Sequence, residues 1–319
     1  MAGADLGRNL LARFRDMLGV ETDWTIEEQG SLQWQLWGAR QRVWLESAAS
    51  ADQARTRRLQ LRTSALEWFP GSLAQLSALS AELAFPTLAG IVRNAEHADQ
   101  LELATSLDVQ DDASDWAVDA LFVATQVHAA EARRLAQSNA LVHVGLASAV
   151  DLEANAPTEL TLKRGNLLQG RRTLQLVDRC GVEPEMSACI DVLKALLPAH
   201  VVRTPGGFHA SFRIAGGEGA RSILEVTADR EDPLFGRGLL VVFSVPVRGG
   251  LLEAMTLNEH EVGPLGRGHA LGGWWAPQGG LLRHCSFYPN AIYRKGVLLP
   301  LILAYARRAS EAADLVARL

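Results

Sequence analysis

Hydrophobic positions along the chain follow two periods that take turns. Leu6, Leu10, Phe14, Met17 and Leu18 recur at helical spacing, with Arg8, Arg13, Arg15 and Asp16 between them, which predicts an amphipathic helix ended at Gly19. Period two follows. Leu32, Trp34 and Leu36 alternate with Gln33 and Gln35, the run 42–46 alternates again, and Leu59 and Leu61 are set between Arg58, Gln60 and Arg62. These predict three antiparallel strands with short turns. Pro70-Gly71-Ser72 offers a turn and cap before Leu73, Leu76, Leu79 and Leu83, a short apolar helix. Strands over 88–93 and 100–107 come next. Asp111, Asp112 and Ser114 then cap a helix through Trp116, Ala120, Val123, Val127 and Ala130, so apolar in its middle that other parts of the protein must cover it.

The pattern weakens over 141–185, where Pro157, Gly165, Gly170, Gly181 and Pro184 interrupt it, while Leu160, Leu162, Leu174 and Leu176 suggest short strands packed on one half. It then restarts. Met186, Cys189, Ile190, Leu193, Leu196 and Leu197 make a helical stripe, strands are expected over 208–214, 223–227 and 239–247, and Gly249-Gly250 introduces a short helix over 251–257. Extended segments near 271–275 and 281–288 lead into a closing helix, whose apolar stripe is Leu298, Leu301, Ile302, Tyr305, Ala309, Ala312, Val316 and Leu319. Pro300 falls in its first turn, where a missing donor costs little.

Both halves therefore read as helix, three strands, short helix, two strands, long helix. Corresponding elements are about 180 positions apart, and each unit spans about 135 residues, an ordinary domain size. The expected fold is α+β: two tandem units, each an antiparallel sheet of about five strands in the order α-β-β-β-α-β-β-α. Residues 1–140 form the first unit, 141–184 a packed link and 185–319 the second.

Composition adds exclusions. The 319 residues are 48% hydrophobic and 21% charged, the balance of a globular protein. Residues 1–140 hold 12 basic and 19 acidic side chains and the remainder 19 and 17, so neither half supplies the clustered positive charge that nucleic acid requires. The three cysteines have no CxxC spacing, which fits a reducing compartment, and no apolar run approaches the roughly 20 residues of a membrane span. A cytoplasmic protein is expected.

Motifs for chemistry are thin. Gly263-Pro264-Leu265-Gly266-Arg267-Gly268 lacks the lysine and glycine spacing of a phosphate loop. Glu259-His260-Glu261 is consecutive, without the HExxH spacing that would turn ligands to one metal, and reads as a solvated loop. His284 and Cys285 are neighbours on an extended segment and point to opposite faces, Cys285 being the expected core residue of the two. No cofactor or metal is expected. Aromatic residues stand out more: Trp34 shares a face with Leu32 and Leu36 and belongs to the core, whereas Trp37 and one of the pair Trp274 and Trp275 must face the other way and need cover from a helix, the other unit or a partner.

The succession from Leu239-Leu240-Val241-Val242-Phe243 through Leu257-Asn258-Glu259 to the hairpin and closing helix, with its counterpart from Leu59 through Leu79-Ser80-Ala81-Glu82-Leu83 to Leu135, resembles the type III secretion chaperone-like superfamily, including its YbjN-like group. The likeness covers both halves and leaves out the central link. It implies a dimeric or pseudo-dimeric module of sheet and helices that binds a segment of another protein without catalysis. Such chaperones are usually single, strongly acidic units, whereas this chain has two units and a net charge of -5. The second unit then takes the place of a dimer partner, or the whole chain dimerises. The partner-binding residues expected on this reading are Trp37, Trp44, Trp274, Trp275 and Tyr288. The alternative is a small-molecule enzyme with its site between the units, near Arg267, His269, His284 and Cys285.

Overall fold

The computed structural model describes residues 2–19, 25–28, 30–36, 38–46, 57–67, 89–97, 99–109, 114–136, 182–196, 200–213, 221–232, 236–263, 272–276, 281–316 and 318. The helix expected over 73–83, the link up to residue 181, Trp37, Arg267 and His269 lie outside them. Among the described residues the chain is α+β, with two six-stranded antiparallel sheets and five helices. The first half runs α1 (Ala2–Leu18), β1 (Thr25–Glu28), β2 (Ser31–Leu36), β3 (Ala39–Glu46), β4 (Arg57–Glu67), β5 (Gly90–Arg93), β6 (Gln100–Val109) and α2 (Ser114–Ala136). The second runs α3 (Glu183–Leu196), β7 (His200–Thr204), β8 (Gly207–Arg213), β9 (Arg221–Asp232), β10 (Gly236–Arg248), α4 (Leu251–Val262), β11 (Gly272–Trp275), β12 (Leu281–Pro289) and α5 (Leu298–Val316).

Among the described residues each sheet has one strand more than the five its hydrophobic pattern predicts. The extra strands, β1 and β7, are sheet margins that bury little, so period two leaves no trace in Thr-Ile-Glu-Glu or His-Val-Val-Arg-Thr. Strand order is β1-β2-β3-β4-β6-β5 in one sheet and β7-β8-β9-β10-β12-β11 in the other, the same path followed twice. Pro184 sits in the first turn of α3, where Val182 already supplies the carbonyl for the amide of Met186, so a residue expected to break the chain begins a helix. Gly19, at φ +63°, ends α1 as the pattern requires.

Helices cover one face of each sheet. Leu10 and Phe14 of α1 bury against Leu32, Trp34 and Leu36, with the Phe14 and Trp34 rings edge to face at 5.5 Å. Under α2 the core is partly polar: His128 lies 3.1 Å by its Nδ1 from the Thr63 hydroxyl and 2.9 Å by its Nε2 from that of Thr105, and Gln41 donates to Thr63 and to the Thr125 carbonyl. Burial holds His128 neutral, with its pKa lowered to about 3. In the second half α5 presents Leu298, Leu301, Ile302, Tyr305, Ala309 and Ala312 to the core, the stripe read from its sequence, while Arg307 and Glu311 pair with each other.

The sheets meet at equivalent margins, β5 against β11. A Cβ on Gly273 would lie 2.3 Å from the Cα of Gly90, and a Cβ on Gly90 would lie 2.6 Å from the Asn258 amide, so only glycine permits this approach. Asn258, on α4, joins the two strands: its amide nitrogen donates to the carbonyls of Ile91 (3.0 Å) and Trp274 (3.1 Å), and its oxygen accepts from the Trp274 amide (2.6 Å). Around it Leu251, Met255, Trp275 and Cys285 share one apolar cluster with Leu66, Ala89, Ile91, Leu103 and Leu135.

The helix α4 runs five residues beyond its expected end, so Glu259-His260-Glu261 is helical and not a solvated loop. Two strongly charged residues in three hide the amphipathic signal because their partners come from opposite sides. Glu259 takes a two-pronged hydrogen bond from Arg93 of β5, at 2.7 Å on each oxygen, and Glu261 accepts from the buried Arg308 of α5 at 2.8 Å.

Candidate functional site

Of the aromatic residues expected at a partner surface, Trp274, Trp275 and Tyr288 are buried. Trp274 faces α5, where its indole meets Glu261 (3.4 Å) and the edge of the His284 ring. Trp275 faces the other way, as one of the pair must, and the first half covers it. Tyr288 lies under α5, its hydroxyl pKa pushed up to about 12 by burial. These three side chains are covered by their own chain. Trp44 alone among the expected residues that are described keeps part of its surface open.

His284 and Cys285 diverge as neighbours on a strand must, yet both are buried, and it is His284 that lies under the closing helix. Tyr305 donates to the Ser286 hydroxyl at 2.5 Å, which leaves the Tyr305 oxygen to accept from His284 Nδ1 at 3.1 Å and assigns the histidine proton to that nitrogen. Burial, then nearby Arg308, holds His284 well below its ordinary pKa. Cys285 sits on the opposite face in the cluster between the sheets, where burial raises its thiol pKa well above the ordinary value. A neutral histidine and a protonated thiol on opposite faces of one strand form no nucleophile and base pair. Among the described residues no three His, Cys, Asp or Glu side chains converge as metal ligands.

What remains open among the described residues is the part of each sheet's outer face that lies away from the junction of the halves. On the second, Val202 and Ile223 are 48% and 38% exposed, beside His209 and Glu225, with His209 Nδ1 3.7 Å from Glu225 Oε1. On the first, the register sets Gln33, Arg42 and Arg62 in one row across β2, β3 and β4. Trp44 lies diagonal to that row, with the guanidinium carbons of Arg42 and Arg62 at 5.4 and 5.9 Å from its ring centre. The end of α4 closes one flank of this face, Arg58 donating to the Gly263 carbonyl and Gln60 to that of Val262. The β5–β6 turn closes another, with Asn94 accepting from the amides of Glu96 and His97 and donating to Glu102. A cavity of about 260 Å³ lies between the row and the β5–β6 turn.

Sequence reasoning passed over Asn258, Arg42 and Arg62. The Leu257-Asn258-Glu259 step was visible, but nothing local says that an asparagine at a helix end meets two strands from two sheets. Arg42 and Arg62 read as ordinary outward polar positions, and only the strand register brings them side by side.

No family model matches the chain, and no curated protein or solved structure matches it.

Proposed function

We propose that this is a non-catalytic protein-binding protein built of two tandem chaperone-like units, which holds an extended segment of a partner on an open sheet margin and the face beside it. One observation carries the reading. Among the described residues each sheet spends one margin, β5 or β11, at the junction between the halves, and its other margin, β1 or β7, is the outermost strand and bears an exposed aliphatic residue, Ile26 at 61% or Val202 at 48%. A strand margin offers main-chain donors and acceptors to an added strand, and side chains on the adjoining face select its sequence. The matching strand order supports treating the halves as a pseudo-dimer within one chain. Among the described residues no helix is long and apolar enough to cross a membrane.

The test is affinity capture from the source cells with the parent chain and with a double variant, Ile26→Lys and Val202→Lys, which places charge on both margins. Proteins retained by the parent and lost by the variant support capture at the margins. An identical set from both, or none from either, overturns it. A mass of one chain in light scattering is expected, and a stable dimer contradicts the pseudo-dimer.

The enzyme alternative gains no support. Arg267 and His269 lie outside the described residues, and the His284 and Cys285 side chains face apart inside the protein.

A further inference from the structure

We propose that Arg42, Trp44 and Arg62 form a binding pocket for a single carboxylate on the outer face of the first sheet. The site rests on its own geometry and stands whether or not the margins capture a strand.

Arg42 and Arg62 are paired directly across β3 and β4. Like charges in that position repel and are kept only where something balances them. Among the described residues the balance is incomplete: Arg42 Nε and Arg62 Nη1 are buried without a hydrogen-bond partner. A buried guanidinium donor left unpaired costs more than a neutral one, so an incoming oxygen gains both a hydrogen bond and the relief of that cost. Burial also holds the Arg62 pKa below its ordinary value, the sign of a cation short of compensation.

Both arginines line the 260 Å³ cavity, together with Arg40, Trp44, Asn94 and Glu102. Its charge decides the ligand. Arg93 also borders the cavity but is committed to Glu259. On the cavity wall that leaves Arg40, Arg42 and Arg62 against Glu96 and Glu102, an excess of one positive charge that a single carboxylate neutralises, while Glu46 acts on Arg62 from outside the wall. A dianionic phosphate would bring a surplus negative charge next to Glu102, whose own pKa burial already raises. The guanidinium fork matches the planar carboxylate, and Trp44 offers an apolar wall for the carbon chain behind it. The volume suits a group the size of a glutamate side chain and falls below the usual range for drug-sized ligands.

The experiment is a calorimetric titration of the full chain at low ionic strength with N-acetyl-glutamate methylamide, its glutamine counterpart and inorganic phosphate. The glutamate probe is expected to bind, with the glutamine probe and phosphate each at least about tenfold weaker, the scale of one lost charge-assisted contact. R62Q and R42Q are each expected to weaken the glutamate probe by a similar factor. R62K, which keeps charge but loses the fork, is expected to weaken it too and serves if R62Q does not fold. Butyrate, which carries one carboxylate, separates two sources: tighter binding than the glutamate probe marks a free acid, and weaker binding marks a side chain carried on a peptide. No heat with the glutamate probe, equal binding of the glutamine probe or of phosphate, or unchanged binding by R62K and R42Q would overturn the assignment.

Discussion

Asn258 gives the sharpest test of how the two sheets are joined. Replacing it with alanine removes three hydrogen bonds at once, to Ile91 and to both backbone groups of Trp274, at a position only 3% exposed. At a net value of about 1 kcal/mol each, their loss comes to about 3 kcal/mol. A buried Trp274 amide left without a partner pushes the figure towards roughly 5 kcal/mol. The loss falls on the junction of β5 and β11, so amide hydrogen exchange reads it directly. Exchange of the Trp274 amide is expected to quicken roughly a hundredfold in N258A, the equivalent of about 3 kcal/mol. The aspartate variant, N258D, keeps the acceptor for the Trp274 amide but sets a carboxylate oxygen against two carbonyls. Its folded-state pKa is then raised, its protonated form is the stable one, and the protein weakens as pH rises through that value. Exchange within a factor of about three of the parent in N258A would refute the bridge.

Three further outcomes follow from buried groups. His128 has a folded pKa of about 3 against an ordinary 6.5, so the unfolded chain takes up a proton that the folded one refuses; stability is whole above pH 6.5 and falls by up to about 1.4 kcal/mol per unit below it. Urea titrations from pH 7 to pH 5 should show H128Q losing less stability than the parent, and parallel curves would reject the assignment. Arg308 to leucine strands Glu261 beneath α5 and should cost about 3–5 kcal/mol in urea unfolding, with part of the loss returned by adding Glu261 to glutamine; a cost below about 1 kcal/mol would show the pair to be unimportant. Cys285 should resist alkylation by iodoacetamide in the native chain and react once urea unfolds it, and fast native labelling, located by peptide mass, would restore the nucleophile reading.

Elements that bury a regular stripe were legible in the amino-acid sequence. α1 and α5 show helical spacing, and β2, β3, β4, β9 and β10 show alternation, because each sets one face against a core and one towards water or a partner. The five strands expected in each half were legible for the same reason, while the helix expected over 73–83 lies outside the described residues. β1 and β7 were not, since a margin strand that buries little carries no alternation, and neither was the last turn of α4, whose carboxylates are matched from two sides.

Pattern alone therefore determined the α+β class, the inward place of Trp34 and the opposed directions of His284 and Cys285, all consequences of local periodicity. The tertiary structure decided which half covers Trp275, that Asn258 ties β5 to β11, and that Arg42 and Arg62 stand side by side at Trp44. Each depends on contacts between residues far apart in the chain, and strand register and the meeting of two sheets are set by the whole core, which no short window of sequence contains.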